Sequence, residues 1–370
     1  MLLDEFQVRQ EKLAKLQALG INPYPSNTTR SVMIGDVHAH FDAWSTESSP
    51  LVLAGRLLTI RVHGGMMFAD LADETGKLQL AFKQDEIGEE LFARFRDLMD
   101  PADIVEVTGT LFLTKRGERS LSVRAWRVLS KALRPLPEKW HGLQDVEARY
   151  RKRYLDLIMD EDVKKRLLIR SKIITSIRSL LEMRNFVEVE TPTLQPIYGG
   201  GFARPFKTHH NALDVDFYLR ISDEMYLKRL LVGGLERVYE ITKVFRNEGI
   251  DHDHNPEFTM FEAQIAYQDY RFGMDLFEEI FEHAALTALG TTDVQHADAK
   301  ISVKRPWQRY SLVESIQVVG GLDVTGWTSL EAAKTALKPR LSSQKKVDET
   351  ERMLTVGELI AFALEELVEE

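Results

Sequence analysis

Between residues 51 and 129 hydrophobic positions recur in five short runs at strand-like spacing, over 51–62, 66–71, 77–82, 104–113 and 120–129, and a helix-like stretch over 87–99 separates the third from the fourth. Five short strands with one helix after the third predict an OB-fold, a small closed barrel. Such a barrel either holds single-stranded nucleic acid by stacking bases on aromatic side chains or serves as an inert spacer. Upstream, Phe6, Leu13, Leu16 and Leu19 among charges predict an amphipathic helix over 4–19 that stops at Gly20. Residues 21–49, rich in Ser, Thr, Pro and Asn, predict a weakly ordered connecting segment. Downstream, 132–153 opens with Pro135 and Pro137, shows no period, and predicts a hinge. Leu167, Ile174, Ile177 and Leu181 then form a stripe on a helix over 160–183 that needs a surface to bury against, and a strand over 186–192 ends at Pro192.

The rest of the chain is organised around 238–267, two alternating runs flanking a polar loop. A period of two puts Val238, Glu240, Thr242, Val244, Arg246 and Glu248 on one face and Tyr239, Ile241, Lys243 and Phe245 on the other. A second strand starting near Glu257 groups Phe258, Met260, Glu262 and Gln264, with Thr259, Phe261, Ala263 and Ile265 opposite. One face thus collects an arginine, glutamates, a glutamine and an aromatic ring. A bare Arg-x-Glu is also what a solvated sheet face carries, so the alternation alone leaves both readings open.

Composition is that of a globular chain: 44% hydrophobic, 28% charged, in 370 residues, enough for two domains. No apolar run approaches 18 residues and the first residues lack a basic leader, so the expectation is a protein with no membrane span, in the cytoplasm. The absence of cysteine excludes disulfides and thiolate metal sites. Net charge is −9, yet 114–153 carries 12 Lys and Arg against 4 Asp and Glu. That segment reads equally as a phosphate track or as a solvated basic linker. Alternating His and Asp over 251–254 allow a metal reading, but an anion-facing loop uses the same residues without requiring the loop to close on itself.

Phe-Arg-Asn-Glu-Gly at 245–249 followed by His-Asn-Pro-Glu-Phe-Thr-Met at 254–260 resembles motif 2 of the class II aminoacyl-tRNA synthetases, in its lysyl form (subclass IIb). The resemblance implies that Arg246 bridges the amino-acid carboxylate and the ATP α-phosphate, with Glu248, His254, Asn255 and Glu262 around the nucleotide and Phe258 stacked on adenine. These roles suit the residue types, a guanidinium being a rigid fork for two anions and a phenyl ring a π surface. The glycine-rich stretch 198–206, which lacks a P-loop pattern, and 218–230 resemble the lysine-recognising part of the same family. There the resemblance implies that Gly200 allows close backbone approach and that Glu224 receives the α-amino group. The helix and strand over 160–192 resemble motif 1, implying a homodimer interface, with an internal core helix as the alternative. The barrel resembles the family's anticodon-binding domain, which implies that Phe68 stacks on an anticodon base while Arg61, Gln79 and Glu118 read base edges.

Two departures stand out. Gln264 occupies the position where the family usually has a tyrosine near the lysine ammonium, which puts side-chain specificity in question. No Gly-x-Gly-x-Gly-x-Asp-Arg motif 3 occurs within the 370 residues, so of the carboxylates that the resemblance implies for magnesium only Glu262 has a counterpart here. The expectation is an α+β protein in which an OB-fold β-barrel precedes a class II antiparallel catalytic sheet flanked by helices and incomplete at its C-terminal side. Its parts are 1–49 (helix and connecting segment), 50–131 (anticodon-binding barrel), 132–153 (linker) and 154–370 (catalytic domain). The implied function is lysine activation with ATP and magnesium and transfer to tRNA(Lys); the alternative is a truncated, non-catalytic paralogue or a fragment that binds tRNA or ligand without completing aminoacylation.

Overall fold

The structure, a computed structural model, describes residues 4–137, 145–251 and 253–369. Part of the linker, 138–144, and His252 of the motif 2 loop lie outside the described residues. The chain divides into two compact units, Met1–Lys164 and Lys165–Glu370.

The first unit is a closed five-stranded barrel in the order β1-β2-β3-β5-β4, built from β1 (Leu51–His63), β2 (Met66–Ala72), β3 (Lys77–Lys83), β4 (Ile104–Leu113) and β5 (Arg119–Ser130). The OB-fold expectation is met, and closure removes the sheet edges. At Gly109, where the pairing of β4 with β5 slips, a Cβ would stand 2.2 Å from the Ser122 carbonyl oxygen, so only glycine allows the strands to close there. Helices α1 (Glu5–Ala18) and α2 (Ile34–Glu47) precede the strands; α3 (Gln84–Ile87) and α4 (Glu89–Leu98) lie between β3 and β4. The expected single helix over 87–99 is split at Gly88, whose φ is +85°.

Helix α2 corrects the expectation of a weakly ordered 21–49. Ile34, Val37 and Phe41 are fully buried in the barrel core and Trp44 packs beside them. Their spacing is helical, but it is masked by the Ser, Thr and Pro of the preceding decade. That decade is itself tied down, since Glu106 accepts from the Thr28 hydroxyl at 2.6 Å, from the Thr29 amide at 2.6 Å and from the Thr29 hydroxyl at 3.0 Å. Within α1 the anchor is polar: Arg9, 3% exposed, donates to the carbonyls of Pro101 and Ala132. Leu19, expected in the stripe, is exposed. Short helices α5 (Val146–Arg151) and α6 (Arg153–Met159) follow the linker.

The second unit begins within α7 (Glu161–Met183) and continues through β6 (Val187–Glu188), β7 (Leu194–Gln195), β8 (Lys207–His210), β9 (Val215–Leu219), α8 (Glu224–Val232), β10 (Arg237–Phe245), β11 (Glu257–Ile265) and α9 (Tyr270–Leu289). β11, β10 and β6 form one sheet and β7, β9 and β8 another. The apolar face of the β10–β11 hairpin, with Tyr239, Ile241, Phe261, Ala263 and Ile265, packs against Ile177, Leu180 and Leu181 of α7 and Leu276 and Ile280 of α9. Only the C-terminal half of the α7 stripe is therefore covered, while Leu167 and Leu168 stay 45% and 47% exposed. A second hairpin, β12 (Asp293–His296) with β13 (Ala299–Ser302), leads to helices α10 (Leu312–Val318), α11 (Leu330–Leu337), α12 (Gln344–Arg352) and α13 (Val356–Leu364). Ile316, Val324, Leu337 and Leu359 give these helices a core of their own.

Candidate functional site

The β10–β11 register is the one that period-two alternation predicts: Val244 pairs with Phe258, Thr242 with Met260, Glu240 with Glu262 and Val238 with Gln264. The Arg246 amide donates to the Pro256 carbonyl at 2.9 Å, extending the ladder one step so that the Arg246 side chain shares the polar face. Its guanidinium lies over the Phe258 ring, 5.2 Å from the centroid, and its Nε is buried with no hydrogen-bond partner. Cation–π contact offsets part of the desolvation of a guanidinium, but an orphaned buried N–H costs about 1–3 kcal/mol and calls for an acceptor.

Glu240 and Glu262 face each other directly, an arrangement that is destabilising for like charges unless each is compensated. Glu240 is compensated by Arg220, whose Nη1 lies 2.7 Å from Glu240 Oε1, and by the Thr191 hydroxyl at 2.6 Å. Arg220 also donates to the Lys243 carbonyl at 2.9 Å and the Thr191 carbonyl at 3.2 Å, and contacts the Thr242 hydroxyl. Glu262 accepts from the Ser222 hydroxyl at 2.9 and 3.2 Å. Behind it lies Asp223, fully buried, with no donor to either oxygen. Burial, then the neighbouring Glu262 carboxylate, push the Asp223 carboxyl up to about 8. The N-terminus of α8 favours an anion by about 0.3–1 kcal/mol, whereas burying an unpaired one costs several kcal/mol. Burial wins.

The glycine-rich loop closes over this face. Gly200 has φ +90°, and a Cβ there would stand 2.6 Å from Ser222 Oγ and 3.2 Å from Glu224 Cβ, so both conformation and space require glycine. Arg204 brackets the motif 2 loop, its amide donating to Glu248 at 3.3 Å and its carbonyl accepting from Asn247 at 2.7 Å. Glu224, the first residue of α8, is half-buried and paired with Lys228 one turn on. His254 turns back on Asp251, Nδ1 to Oδ1 at 2.7 Å, and with the amides of Asp253 and His254 holds that carboxyl below its usual range. Asn255 is exposed on the same loop. Gly200, Glu224, Arg246, Phe258, Glu262 and Gln264 thus belong to one connected region, with Glu248, His254 and Asn255 on the loop at its rim. Reading the sequence missed Arg220, Ser222 and Asp223, because Ile-Ser-Asp-Glu ahead of a helix looks like an ordinary cap. Among the described residues no group of three or more His, Asp or Glu converges on a metal position.

On the barrel, Arg61 pairs with Phe68 across β1 and β2, and Asp70 with Gln79 across β2 and β3, which puts these side chains on the outer face. Arg61 Nη2 lies 3.1 Å from Asp70, Phe68 is part-exposed, and Gln79 accepts from the Ser120 hydroxyl at 3.0 Å. Glu118 is exposed in the turn before β5 and lines, with Asp70, Gln79, His38 and Arg119, one cavity of about 740 Å³. Among the described residues no helix is long and apolar enough to cross a membrane.

Known proteins place this geometry. The family model of class II tRNA synthetases (D, K and N) matches residues 145–355, and that of the OB-fold nucleic acid binding domain matches residues 51–129. The lysine-tRNA ligase of Roseiflexus sp. is 47% identical over 369 residues, covering 97% of this chain and 76% of that one. That of Moorella thermoacetica is 51% identical over 335 residues, 90% of this chain and 68% of the relative. A lysine-tRNA ligase 2 of Methanosarcina acetivorans is 45% identical over 363 residues, 97% of this chain and 70% of the relative. With an OB-fold barrel ahead of a motif 2 hairpin, and this identity over nearly its whole length, the chain belongs to the class II tRNA synthetases of the D, K and N group, in their lysine-tRNA ligase family.

Proposed function

We propose that this chain is a lysine-tRNA ligase that activates lysine with ATP at the β10–β11 face and transfers it to tRNA(Lys) held at the barrel, in the cytoplasm. The observation that carries the reading is Arg246: a part-buried arginine whose buried Nε has no partner, stacked over Phe258 on the face of the hairpin that also carries Glu262. In the first step a lysine carboxylate oxygen attacks the α-phosphorus of ATP and pyrophosphate leaves with the bonding pair; in the second a ribose hydroxyl of the tRNA takes the acyl group and AMP departs. The attacking carboxylate is already ionised at neutral pH, so the first step needs no general base. Positioning and neutralisation of charge supply the catalysis.

Arg246 bridges the lysine carboxylate and the α-phosphate. Glu224 exchanges Lys228 for the substrate's α-amino group, and Gly200 leaves room for backbone approach. Phe258 offers its ring to adenine, Gln264 faces the lysine side chain, and Glu248, His254, Asn255 and Glu262 surround the nucleotide. Magnesium accompanies ATP in this family, with Glu262 the one candidate ligand in this set. Residues 50–131 bind the anticodon through Arg61, Phe68, Gln79 and Glu118, residues 132–153 link, and 154–370 catalyse. The exposed Leu167 and Leu168 support α7 as a homodimer surface. The test is Arg246→Ala, followed by lysine-dependent ATP–pyrophosphate exchange and by calorimetric ATP binding. Losing a charged clamp in a desolvated site costs about 3 kcal/mol or more, at least a hundredfold in rate. ATP affinity and exchange within tenfold of wild type overturn the reading.

A further inference from the structure

The fold sorts the basic stretch 114–153 into committed and uncommitted charge. Arg124, Arg127, Lys131, Arg149, Arg151 and Arg153 each pair with a carboxylate, and Arg119 donates to the His38 carbonyl at 2.8 Å. Lys115 and Arg116 stand in the turn before β5, and Lys139 lies outside the described residues. Arg134 and Lys152 remain. Both are exposed, neither has an ion pair among the described residues, and both line one cavity of the first unit, of about 870 Å³. A third cation lines it as well: Arg56 of β1, part-buried, whose Nη1 donates to the Ala102 carbonyl at 2.9 Å. The carboxylate acting on Arg56 is Asp103, which already accepts from Lys131 at 2.8 Å and from the Asp100 and Ala132 amides at 2.8 and 2.7 Å. Burial lowers the Arg56 guanidinium more than Asp103 raises it, as befits a cation short of counter-charge. Asp4 is the one acid on the lining.

We propose that this cavity is a second nucleotide site, taking a free nucleoside diphosphate or triphosphate with its phosphates on Arg56, Arg134 and Lys152 and its base against the Tyr154 ring. Three cations from separate parts of the chain, β1, the segment after β5 and the junction of α5 with α6, converge here against a single acid. Two guanidinium forks and one ammonium suit a polyphosphate. Tyr154, 64% exposed, stands on the same lining with Phe6, Pro135 and Ile158, which give a base an apolar wall. The volume falls in the range of about 300–1,000 Å³ usual for small-molecule sites. A nucleic-acid strand needs instead a row of free cations along the surface. Beside Lys152, Arg149, Arg151 and Arg153 are all held by carboxylates, so the free charge forms a cluster and not a row.

The proposal does not rest on the synthetase reading, and its test keeps the two apart. The 370-residue chain carrying Arg246→Ala, which weakens any nucleotide site on the hairpin, is titrated calorimetrically with ADP and with adenosine. ADP is expected to bind, and adenosine about tenfold or more weaker, because the phosphates meet the charge. Adding Arg134→Ala and Lys152→Ala, at exposed positions outside any ion pair, is expected to cost ADP about tenfold or more with the melting temperature unchanged. Asp4→Asn, which removes the one acid, is expected to tighten ADP about two- to threefold, a direction that damage to the fold does not produce. Photolabelling of the wild-type chain with 8-azido-ADP is expected to mark a peptide containing Tyr154, and labels within 238–267 report only on the hairpin. Absence of ADP binding, an affinity untouched by the paired variant, adenosine as tight as ADP, or labelling confined to 238–267 overturns the proposal. If the paired variant lowers affinity for tRNA and leaves ADP alone, the cavity holds an RNA phosphate and the proposal is wrong.

Discussion

Arg220→Met removes one half of an ion pair whose side chains are only 6% and 4% exposed. Methionine keeps the apolar stem but loses the contacts to Glu240, to the carbonyls of Thr191 and Lys243 and to the Thr242 hydroxyl. Glu240 is then left in the same burial with the Thr191 hydroxyl alone. An exposed pair would contribute about 0–1 kcal/mol. Removing one partner of a buried pair costs about 3–5 kcal/mol, because the survivor remains desolvated. Burial selects the larger figure, and about 4 kcal/mol is the expected loss. The assay is urea unfolding followed by the fluorescence of Trp307, which packs edge-on against Phe277 and Phe281 in the same unit. With a slope of about 3 kcal/mol per molar, the midpoint falls by about 1 M. Arg220→Met with Glu240→Leu, which removes both polar partners, is expected to recover most of the loss. A shift under about 1 kcal/mol in the single variant, or a double variant worse than the single one, refutes the argument that burial rather than surface attraction sets the energy. A functional consequence accompanies the structural one. The Arg220 amide donates to the Thr193 carbonyl and its carbonyl accepts from the Phe245 amide, so this residue pins the segment entering Ser222–Glu224 to β10.

Phe68→Ala on the barrel is expected to weaken tRNA binding by about 1–3 kcal/mol, the contribution of one stacked base, with ATP binding unchanged; if the barrel's stability falls along with tRNA affinity, Phe68 is a packing residue. Glu106 predicts an acid limb. Burial raises its carboxyl, but Arg127, Thr28 and Thr29 outweigh that and lower it from 4.5 to about 2. The folded value lies below the unfolded one, so this stabilisation is fully present above pH 4.5 and is lost as pH falls towards 2. Solvent around Arg127 keeps the effect to about 1–2 kcal/mol. Glu106→Gln should lower barrel stability at pH 7 and flatten its decline between these values, read by Trp126 fluorescence; an unchanged acid limb counts against it.

Alternation along 238–267 determined by itself which side chains of the hairpin share a face, and the observed register agrees because side-chain direction in a strand is a local property of the backbone. The same holds for the five barrel strands, whose runs and turns encode their own boundaries. Helix α2 was equally local, with Ile34, Val37 and Phe41 at helical spacing, and was obscured only by the composition ahead of it. Motif 2 and the glycine-rich stretch were legible as strings of residue types, and so was the family. What only the tertiary structure decided is who meets whom across sequence distance. Arg220 reaches Glu240 and Ser222 reaches Glu262 through the packing of α8 against the hairpin, and no period in the chain encodes a partner 20 or 40 residues away. Half of the α7 stripe is covered and half is not, because burial depends on what else folds against a helix rather than on the helix's own spacing. Asp223 is the sharpest case: as a sequence position it is a capping aspartate, and only the folded structure shows it fully buried with neither carboxyl oxygen hydrogen-bonded.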